Sequence, residues 1–268
     1  MIKIERKGKS TNRIGEENHN NFGTLMKIVE YKDARDITVE FQDEYKEKFH
    51  TTYQHFKKGE VKNPYDKNVF GAGYIGVGKY KVIGKNKKPT SAYATWADMI
   101  KRCYDAYYIN KNPTYIDCYV CNEWLNFQNF AEWYYKNIYN CNNERMHLDK
   151  DILIKGNKIY SPETCIIVPQ RINSLFTKSD KARGEYPIGV SHYKGNDTLR
   201  VGCCIIDECG KAKRKHLGYF PLNKPFQAFY TYKIFKENYI KQIANEYKGM
   251  IPQKLYDAMY RYEVEIND

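Results

Sequence analysis

The part of the chain that most constrains its fold is residues 147–176, a stretch dense in side chains that bind metal ions or transfer protons. A turn at Lys155-Gly156-Asn157-Lys158 is followed by the apolar run Ile166-Ile167-Val168 and by a short helical pattern over residues 169–176. This order predicts a strand, a turn, a second strand and a helix, so we expect a compact ββα unit. The side chains of the kinds that bind metal ions or transfer protons are His147, Asp149, Asp151, Asn157, Glu163 and Asn173.

The charge of the chain favours an anionic partner. The 268 residues include 44 Lys and Arg against 32 Asp and Glu, a net charge of +12. A surplus of this kind is typical of proteins that bind nucleic acid, and a solvated basic surface is the alternative. The first residues lack the apolar core of a signal peptide, and no run approaches the roughly 18 apolar residues of a membrane helix. We therefore expect a cytoplasmic protein with no membrane segment.

The cysteines indicate reduced thiols. Cys118 and Cys121 form a CxxC pair, but a structural zinc site needs four ligands, usually as two such pairs, and the sequence has no second pair. In a cytoplasmic protein, buried reduced cysteine is therefore the favoured interpretation, and a structural zinc ion is the alternative.

The N-terminal third is predicted to be β-rich. A polar arm extends to about residue 20, and strands are expected at residues 25–29 and 36–41, joined by a turn at residues 33–36. An extended or mixed piece follows at residues 45–56. The glycine-rich residues 70–78 have the spacing of a dinucleotide-binding loop, but a loop with Lys79 and Lys81 follows instead of a helix, which favours a tight β connection.

Two amphipathic helices are predicted before the ββα unit, at residues 91–105 and 122–137. After it, residues 177–186 are polar and predict a linker. Strands are expected at residues 187–193, 198–206 and 213–220, with turns at 194–197 and 207–210. A long helix over residues 224–247 and a short one near residues 252–262 complete the chain.

The residues of the ββα unit resemble a known family. The segment LDKDILIKGNKIYSPETCIIVPQRIN is similar to HNH endonucleases, and more closely to phage-type HNH and homing-endonuclease-like proteins with an AP2-like DNA-binding domain. Residues 161–165 stand where HNH proteins usually carry a turn similar to P-E-N-L, and Asn173 matches the helix ligand in position. The segments TWADMIKRCYD and VCNEWLNFQNFAEWY look like those that precede the finger in this group.

This resemblance implies metal-dependent phosphodiester hydrolysis, with Mg²⁺ as the expected metal. The implied roles are His147 as general base, Asp149, Asp151 and Asn173 as metal ligands, and Thr164 as a structural residue where the family has Asn. The chain departs from the family because it has no adjacent Asp-His or His-His pair. Residues 147, 149 and 151 alternate along an expected strand, so we predict that they share one face. The alternative is a degenerate, purely structural finger.

The segment after the linker resembles an AP2 domain in Gly189-Val190, the turn at Lys194 and residues 216–220 (HLGYF). Such domains place a three-stranded sheet in the DNA major groove. Alternation puts Leu199, Val201, Cys203 and Ile205 on the face that packs on the helix and Arg200, Gly202 and Cys204 on the other. The expected DNA-binding side chains are His192, Lys194, Arg200, Lys211, Lys213, Arg214, Lys215 and His216. A solvated basic hairpin is the alternative.

The sequence thus predicts an α+β, multi-module chain. Residues 1–66 form an arm and a small β module, residues 67–180 a helix-braced, HNH-like ββα-metal finger, and residues 181–268 an AP2-like three-stranded sheet with helices. The expected function is site-specific cleavage of double-stranded DNA by a phage or mobile-element endonuclease in the host cytoplasm, and the alternative is a non-catalytic, sequence-specific DNA-binding regulator. With one finger per chain, cutting both strands requires a homodimer or two successive nicks.

Overall fold

The computed structural model describes residues 12–177, 184–206, 211–266 and 268. It is a mixed α+β structure, which confirms the predicted class at that level. The chain forms two compact units: the first comprises the residues up to Thr114 together with Asn122–Glu132, and the second comprises Tyr115–Cys121 and Trp133–Asp268. The predicted module boundary near residue 180 therefore falls inside the second unit.

The strands of the described chain are β1 (Glu17–His19), β2 (Leu25–Asp33), β3 (Asp36–Phe41), β4 (Lys48–Thr51), β5 (Tyr119–Val120), β6 (Met146–Asp149), β7 (Ile159–Tyr160), β8 (Ile166–Pro169), β9 (Val190–Tyr193), β10 (Thr198–Ile206) and β11 (Ala212–Pro221). The helices are α1 (Tyr53–Lys57), α2 (Ser91–Tyr104), α3 (Ala106–Lys111), α4 (Asn122–Leu125), α5 (Phe127–Asn137), α6 (Gln170–Phe176), α7 (Pro225–Glu246) and α8 (Gln253–Tyr260), with a 3₁₀ turn at Pro113–Tyr115. None of these described helices is long and apolar enough to span a membrane.

The first unit contains an antiparallel sheet in the order β1-β2-β3-β4. Alternating residues of β2 and β3 are buried with Phe56 of α1, so the predicted β-rich module and its turn at residues 33–36 are confirmed. The prediction of a polar arm to about residue 20 was wrong for Glu17–His19, which pairs with β2. Residues 1–11 of that predicted arm lie outside the described residues.

The helix predicted at residues 91–105 is confirmed by α2, whose N-cap Thr90 accepts a hydrogen bond from Tyr93 N. The single helix predicted at 122–137 was wrong, because Asn126 separates α4 from α5. At this break the backbone of Tyr74 forms a β-bridge with Asn126. Tyr74 N donates to Leu125 O at 3.0 Å, and Phe127 N donates to Tyr74 O at 2.9 Å. The Asn126 side chain then accepts from Gln128 N at 2.9 Å and begins the new helix.

The ββα order predicted for residues 147–176 is present in the second unit. Strands β6 and β8 pair antiparallel, with His147 opposite Val168, and α6 follows β8 directly. Gly156, with φ at +77°, lies in the predicted turn. The segment between the two strands also contains β7, which pairs with β5 in parallel rather than with the ββα strands.

The three strands predicted after the linker are confirmed, in the antiparallel order β11-β10-β9, and so are the two C-terminal helices α7 and α8. One face of the sheet is buried on the first half of α7, where Leu199, Val201 and Cys203 pack with Ala228 and Tyr232. The predicted turn at residues 207–210 and most of the predicted linker, residues 178–183, lie outside the described residues.

The second half of α7 supports the ββα unit. Ile240 and Ile243 of α7 and Leu255 of α8 share one buried cluster with Val168 of β8 and Ile172 of α6. One 22-residue helix, about 33 Å long, thus supplies both buried surfaces. The helices α7 and α8, which pack against the ββα unit in this cluster, come after it in the sequence.

Gly189 gives a stability test. It has φ at +79°, and a Cβ there would lie 2.1 Å from Cδ2 of buried Tyr232. We expect Gly189→Ala to lower the free energy of unfolding by about 2 to 4 kcal/mol, from left-handed backbone strain and overpacking. Gly249→Ala is the matched control, because Gly249 has φ at +81° and nothing within 4 Å of an added Cβ. Urea unfolding followed by circular dichroism measures both, and equal losses would contradict the role of Tyr232.

Candidate functional site

The carboxylate of Asp149 is used in a backbone turn. Its Oδ1 accepts hydrogen bonds from Asp151 N at 2.8 Å and from Ile152 N at 2.7 Å, which turns the chain away from β6. Burial raises the pKa of this carboxyl, and the two backbone N–H groups act against that shift. Asp149 therefore holds the end of the strand.

Lys150 is a buried cation next to these carboxylates. Its side chain is 8% exposed, and Nζ donates to both carboxylate oxygens of Asp151 at 2.8 Å and to Asn157 O at 2.8 Å. Because Asp151 lies beyond the last strand residue, Asp149, the prediction that residues 147, 149 and 151 share one strand face was wrong for Asp151. Its carboxylate is paired with a lysine instead.

Two polar residues fix the segment between the ββα strands. Asn157 Nδ2 donates to Lys150 O at 2.9 Å and to Ile159 O at 2.7 Å, so its side chain closes the turn in which it was expected. Thr164 Oγ1 donates to Ile159 O at 2.8 Å and lies 3.1 Å from Ser161 Oγ. These bonds are those of a structural residue, the role predicted for Thr164.

The remaining predicted catalytic side chains lie on the two ends of the ββα unit. His147 is half-buried in the middle of β6, and Asn173 is half-buried on α6, next to buried Ile172. The structure thus places His147 on the first strand of the unit and Asn173 on its helix.

The donors do not fit the expected Mg²⁺ site. Mg²⁺ prefers carboxylate and water oxygens in octahedral geometry, yet Asp149 Oδ1 is committed to two backbone N–H groups and the Asp151 carboxylate to the Lys150 ammonium. Among the residues that the structure describes, no group of three His, Cys, Asp or Glu side chains is arranged to hold a metal ion.

A second candidate surface is the outer face of the β9–β11 sheet, which is the face opposite α7. Directly opposed residues of antiparallel strands share a face, and the register pairs Arg200 with Tyr219, Gly202 with His216, and Cys204 with Arg214. Cys204, Arg214, His216 and Tyr219 are exposed on it, and Arg200 is half-buried. This confirms the predicted facing of Arg200, Gly202 and Cys204.

Side chains on the outer face are close together. The His216 and Tyr219 rings lie 4.5 Å apart between centroids, and those of Tyr193 and Tyr219 lie 5.5 Å apart. A Cβ at Gly202 would be 2.8 Å from Arg214 Nε, so the arginine lies over the glycine. Neither Tyr193 nor Tyr219 was predicted as a binding residue, although the alternation of β9 and the register of β11 place both on this face.

The other predicted DNA-binding residues are not on this face. Lys213 and Lys215 pair with Ile205 and Cys203, and the Lys215 ammonium lies 4.9 Å from the ring centroid of Phe235 on α7. His192 pairs with Leu199 and has its Nε2 2.9 Å from an Asp197 carboxylate oxygen. Lys194 is exposed in the turn after β9, and Lys211 is exposed before β11. The predicted set is therefore divided between two faces and two turns.

The face of Lys213 and Lys215 depends on a register shift. Val201 pairs with Gly218 and Gly202 with His216, so Leu217 is an extra residue in β11. A bulge of this kind changes which side chains share a face on either side of it. If strict alternation is counted along β11 from Lys213, it therefore places Tyr219, which lies beyond the bulge, on the wrong face of the sheet.

Five of the seven cysteines that the structure describes are buried. Of those the structure describes, Cys103, Cys118, Cys141, Cys165 and Cys203 are buried, Cys121 is half-buried and Cys204 is exposed. Burial raises the pKa of the Cys165 thiol to about 12, so at neutral pH it is a protonated core residue. Cys209 lies outside the described residues.

Lys150→Met tests the buried lysine. Loss of its hydrogen bonds leaves the Asn157 carbonyl without its charged donor, so we expect unfolding to become easier by about 1 to 3 kcal/mol. Lys248→Met, at an exposed position, removes the same charge and should change stability by less than about 0.5 kcal/mol. Urea unfolding compares the two variants, and similar values would show that the Lys150 hydrogen bonds carry no net stability.

The raised pKa of Asp149 predicts a pH dependence. Between its unfolded and folded pKa values the folded state binds more protons, so this residue's contribution to stability falls as pH rises through that interval. Asp149→Asn keeps an oxygen for the two backbone donors but does not titrate. We expect the variant to gain stability relative to wild type as pH rises from 4 toward 7 in thermal melts, and a constant difference would contradict this account.

Comparison with protein-family models, with curated proteins and with solved structures gives no match to this chain.

Proposed function

We propose that this protein binds double-stranded DNA through the outer face of its β9–β11 sheet. The observation that carries the proposal is the register of β10 and β11, which presents Arg200, Arg214 and His216 around Gly202 on a face not used by the helix α7. Arginine and histidine donate hydrogen bonds to base edges and phosphates, and a sheet can enter the major groove.

The dimensions of this face match a groove. Arg200 and Cys204 are four residues apart on β10, a separation of about 13 Å, and the major groove is about 12 Å wide. Gly202 lies between them, and its lack of a side chain brings Arg214 close to the backbone. Two exposed tyrosines, Tyr193 at 37% and Tyr219 at 53%, add apolar and hydrogen-bonding surface at the other end.

The charge of the chain supports the same partner. A net charge of +12 favours association with a polyanion, and phosphate contacts would make binding sensitive to salt. A solvated basic hairpin would share the charge. For such a hairpin, the effect of removing a cation on DNA binding would not depend on the face of the sheet that carries the cation. This difference is testable.

Arg200→Gln and Arg214→Gln are the direct tests. Each should weaken binding to the preferred duplex by about 5- to 150-fold, which corresponds to about 1 to 3 kcal/mol per bidentate contact. Because the preferred sequence is unknown, selection from a random duplex pool supplies the probe, and fluorescence anisotropy gives the Kd.

Lys213→Gln and Lys215→Gln are the matched controls, since they remove the same charge from the helix side of β11 in the same sheet. We expect them to weaken binding less than about threefold. If all four variants lose affinity equally, the face assignment is wrong. If wild type selects no duplex, the proposed function is wrong.

Site-specific endonuclease activity is the second candidate, favoured by the β6-β8-α6 order with His147 on the strand and Asn173 on the helix. It ranks second because the carboxylates of Asp149 and Asp151 are already engaged. A non-catalytic DNA-binding regulator is the form of the proposal that these contacts favour.

The two candidates differ in a nicking assay. We expect supercoiled plasmid carrying the selected duplex to stay intact with Mg²⁺ or Mn²⁺ under conditions where the protein is bound. Nicking by wild type that is lost in both His147→Ala and Asn173→Ala would instead establish the endonuclease. Nicking that survives both substitutions would leave an enzyme with a different active site.

A further inference from the structure

A lysine-rich hairpin in the first unit has no role in the proposed sheet interface. Residues 79–88 carry five lysines, Lys79, Lys81, Lys85, Lys87 and Lys88, all of them exposed. No Asp or Glu occurs between Asp66 and Asp98 in the sequence, so the positive charge of this hairpin is not offset locally.

The lysines of the neighbouring sheet and α1 are different. Five of them form ion pairs with carboxylates: Lys27 with Glu17, Lys32 with Asp36, Lys48 with Glu40, Lys57 with Glu16, and Lys58 with Glu60. Within the described part of the chain, none of the five hairpin lysines pairs with a carboxylate. The hairpin is thus a concentration of positive charge that no carboxylate of the described chain pairs with.

The hairpin has a defined backbone. Ile83 pairs antiparallel with Pro89, Gly84 N donates to Lys88 O at 2.8 Å, and Thr90 N donates to Val82 O at 2.9 Å. The turn is closed by Lys87 N, which donates to Gly84 O at 3.1 Å. These bonds hold the lysines on an ordered scaffold, so a ligand would not have to order the loop.

The base of the hairpin is fixed to the helical part of the same unit. The side-chain amide of buried Gln128 accepts from Tyr80 N at 2.9 Å and donates to Tyr80 O at 3.0 Å. A Cβ at Gly78 would lie 2.4 Å from Gln128 Oε1, so glycine is needed for this approach. Thr90, the N-cap of α2, donates from Oγ1 to Lys81 O at 3.0 Å on the other arm.

Exposure alternates along the first arm. Lys79, Lys81 and Ile83 are exposed, and Tyr80 and Val82 are half-buried, as expected for an extended segment with one side packed inward. Lys79 and Lys81 therefore project to the same side, about 6.6 Å apart along the chain. The Lys79 ammonium also lies 5.1 Å from the ring centroid of Tyr80.

We propose that this hairpin is a second DNA-contact surface, which binds the phosphate backbone of duplex DNA without reading its sequence. The inference rests on the proposed function, because it assigns a further contact to the same partner. Lysine is a flexible point charge suited to phosphate. Lysine is depleted at protein–protein interfaces, which are richer in arginine and aromatic residues, so an acidic protein partner is the less suitable occupant.

The test compares two quintuple variants with the same change in charge. The hairpin variant is K79Q/K81Q/K85Q/K87Q/K88Q, and the control variant is K27Q/K32Q/K48Q/K57Q/K58Q, built on the ion-paired lysines. Binding of the full-length proteins to the selected duplex and to a scrambled duplex is measured by anisotropy at several salt concentrations. Circular dichroism and thermal melts establish that both variants are folded.

We expect the hairpin variant to bind both duplexes at least about tenfold more weakly. The slope of log K against log salt should fall by about 2 to 4, near 0.9 for each phosphate that the variant no longer neutralises. The control variant should keep a slope within about 1 of wild type. A hairpin variant with the affinity and slope of wild type overturns this inference and leaves the sheet interface intact.

Other outcomes separate the two proposals. A loss of affinity in the hairpin variant, with no effect of Arg200→Gln or Arg214→Gln, supports the hairpin and overturns the sheet interface. If both quintuple variants lose affinity equally, the effect is one of net charge and the hairpin assignment is wrong. If wild type binds no duplex, both proposals are wrong.

A measurement on the unmodified protein avoids the quintuple substitution. Lysine acetylation with a water-soluble reagent, quantified by mass spectrometry with and without duplex, should show the hairpin lysines protected at least about threefold more than the ion-paired sheet lysines. Equal acetylation rates of the hairpin lysines in both states would overturn the proposal.

Discussion

The buried stripe of α7 is the constraint on which the second unit depends. Its first half covers one face of the β9–β11 sheet through Ala228 and Tyr232, and its second half covers the ββα unit through Ile240 and Ile243. Burying apolar surface is the main favourable term in folding, so this helix decides which sheet face is closed. The face that remains open carries Arg200, Arg214 and His216, and the proposed DNA contact follows from that choice.

The same helix joins two predicted modules into one core. Tyr239 OH donates to Ile206 O and accepts from Ile206 N, both at 2.8 Å, at the end of β10. Arg171 Nη1 of α6 donates a hydrogen bond to Glu246 Oε2 of α7 at 2.7 Å. A sheet interface and a ββα unit that share one helix are expected to be stabilised together, since an element loses much of its burial when its partner is removed. The scaffold of the proposed interface therefore includes the ββα unit, whether or not that unit has an activity of its own.

In the ββα unit, the order of the secondary structure elements was predictable from the sequence, whereas the arrangement of the polar side chains was not. Its strand, turn, strand and helix could be predicted because hydrophobic periodicity and turn residues are local signals. The prediction that His147, Asp149 and Asp151 share one strand face was wrong, because the strand ends at Asp149 and Lys150 is buried against Asp151. A buried ammonium usually needs a paired charge and hydrogen bonds. Lys150 finds both in the Asp151 carboxylate, which was expected to bind a metal ion, and in the Asn157 carbonyl. Nothing in the local spacing distinguishes this lysine from an exposed one.

The sequence by itself determined the α+β class, the three C-terminal strands, the two helices after them, and the inward side of Leu199, Val201 and Cys203. These follow from the periods of helix and strand and from residue size. Only the tertiary structure decided that Asn126 divides a helix by pairing with Tyr74, and that Leu217 is an extra residue that places Lys213 and Lys215 on the α7 side. It also decided which lysines are paired with carboxylates and which are not. These outcomes depend on partners distant in sequence, and a local pattern does not contain them.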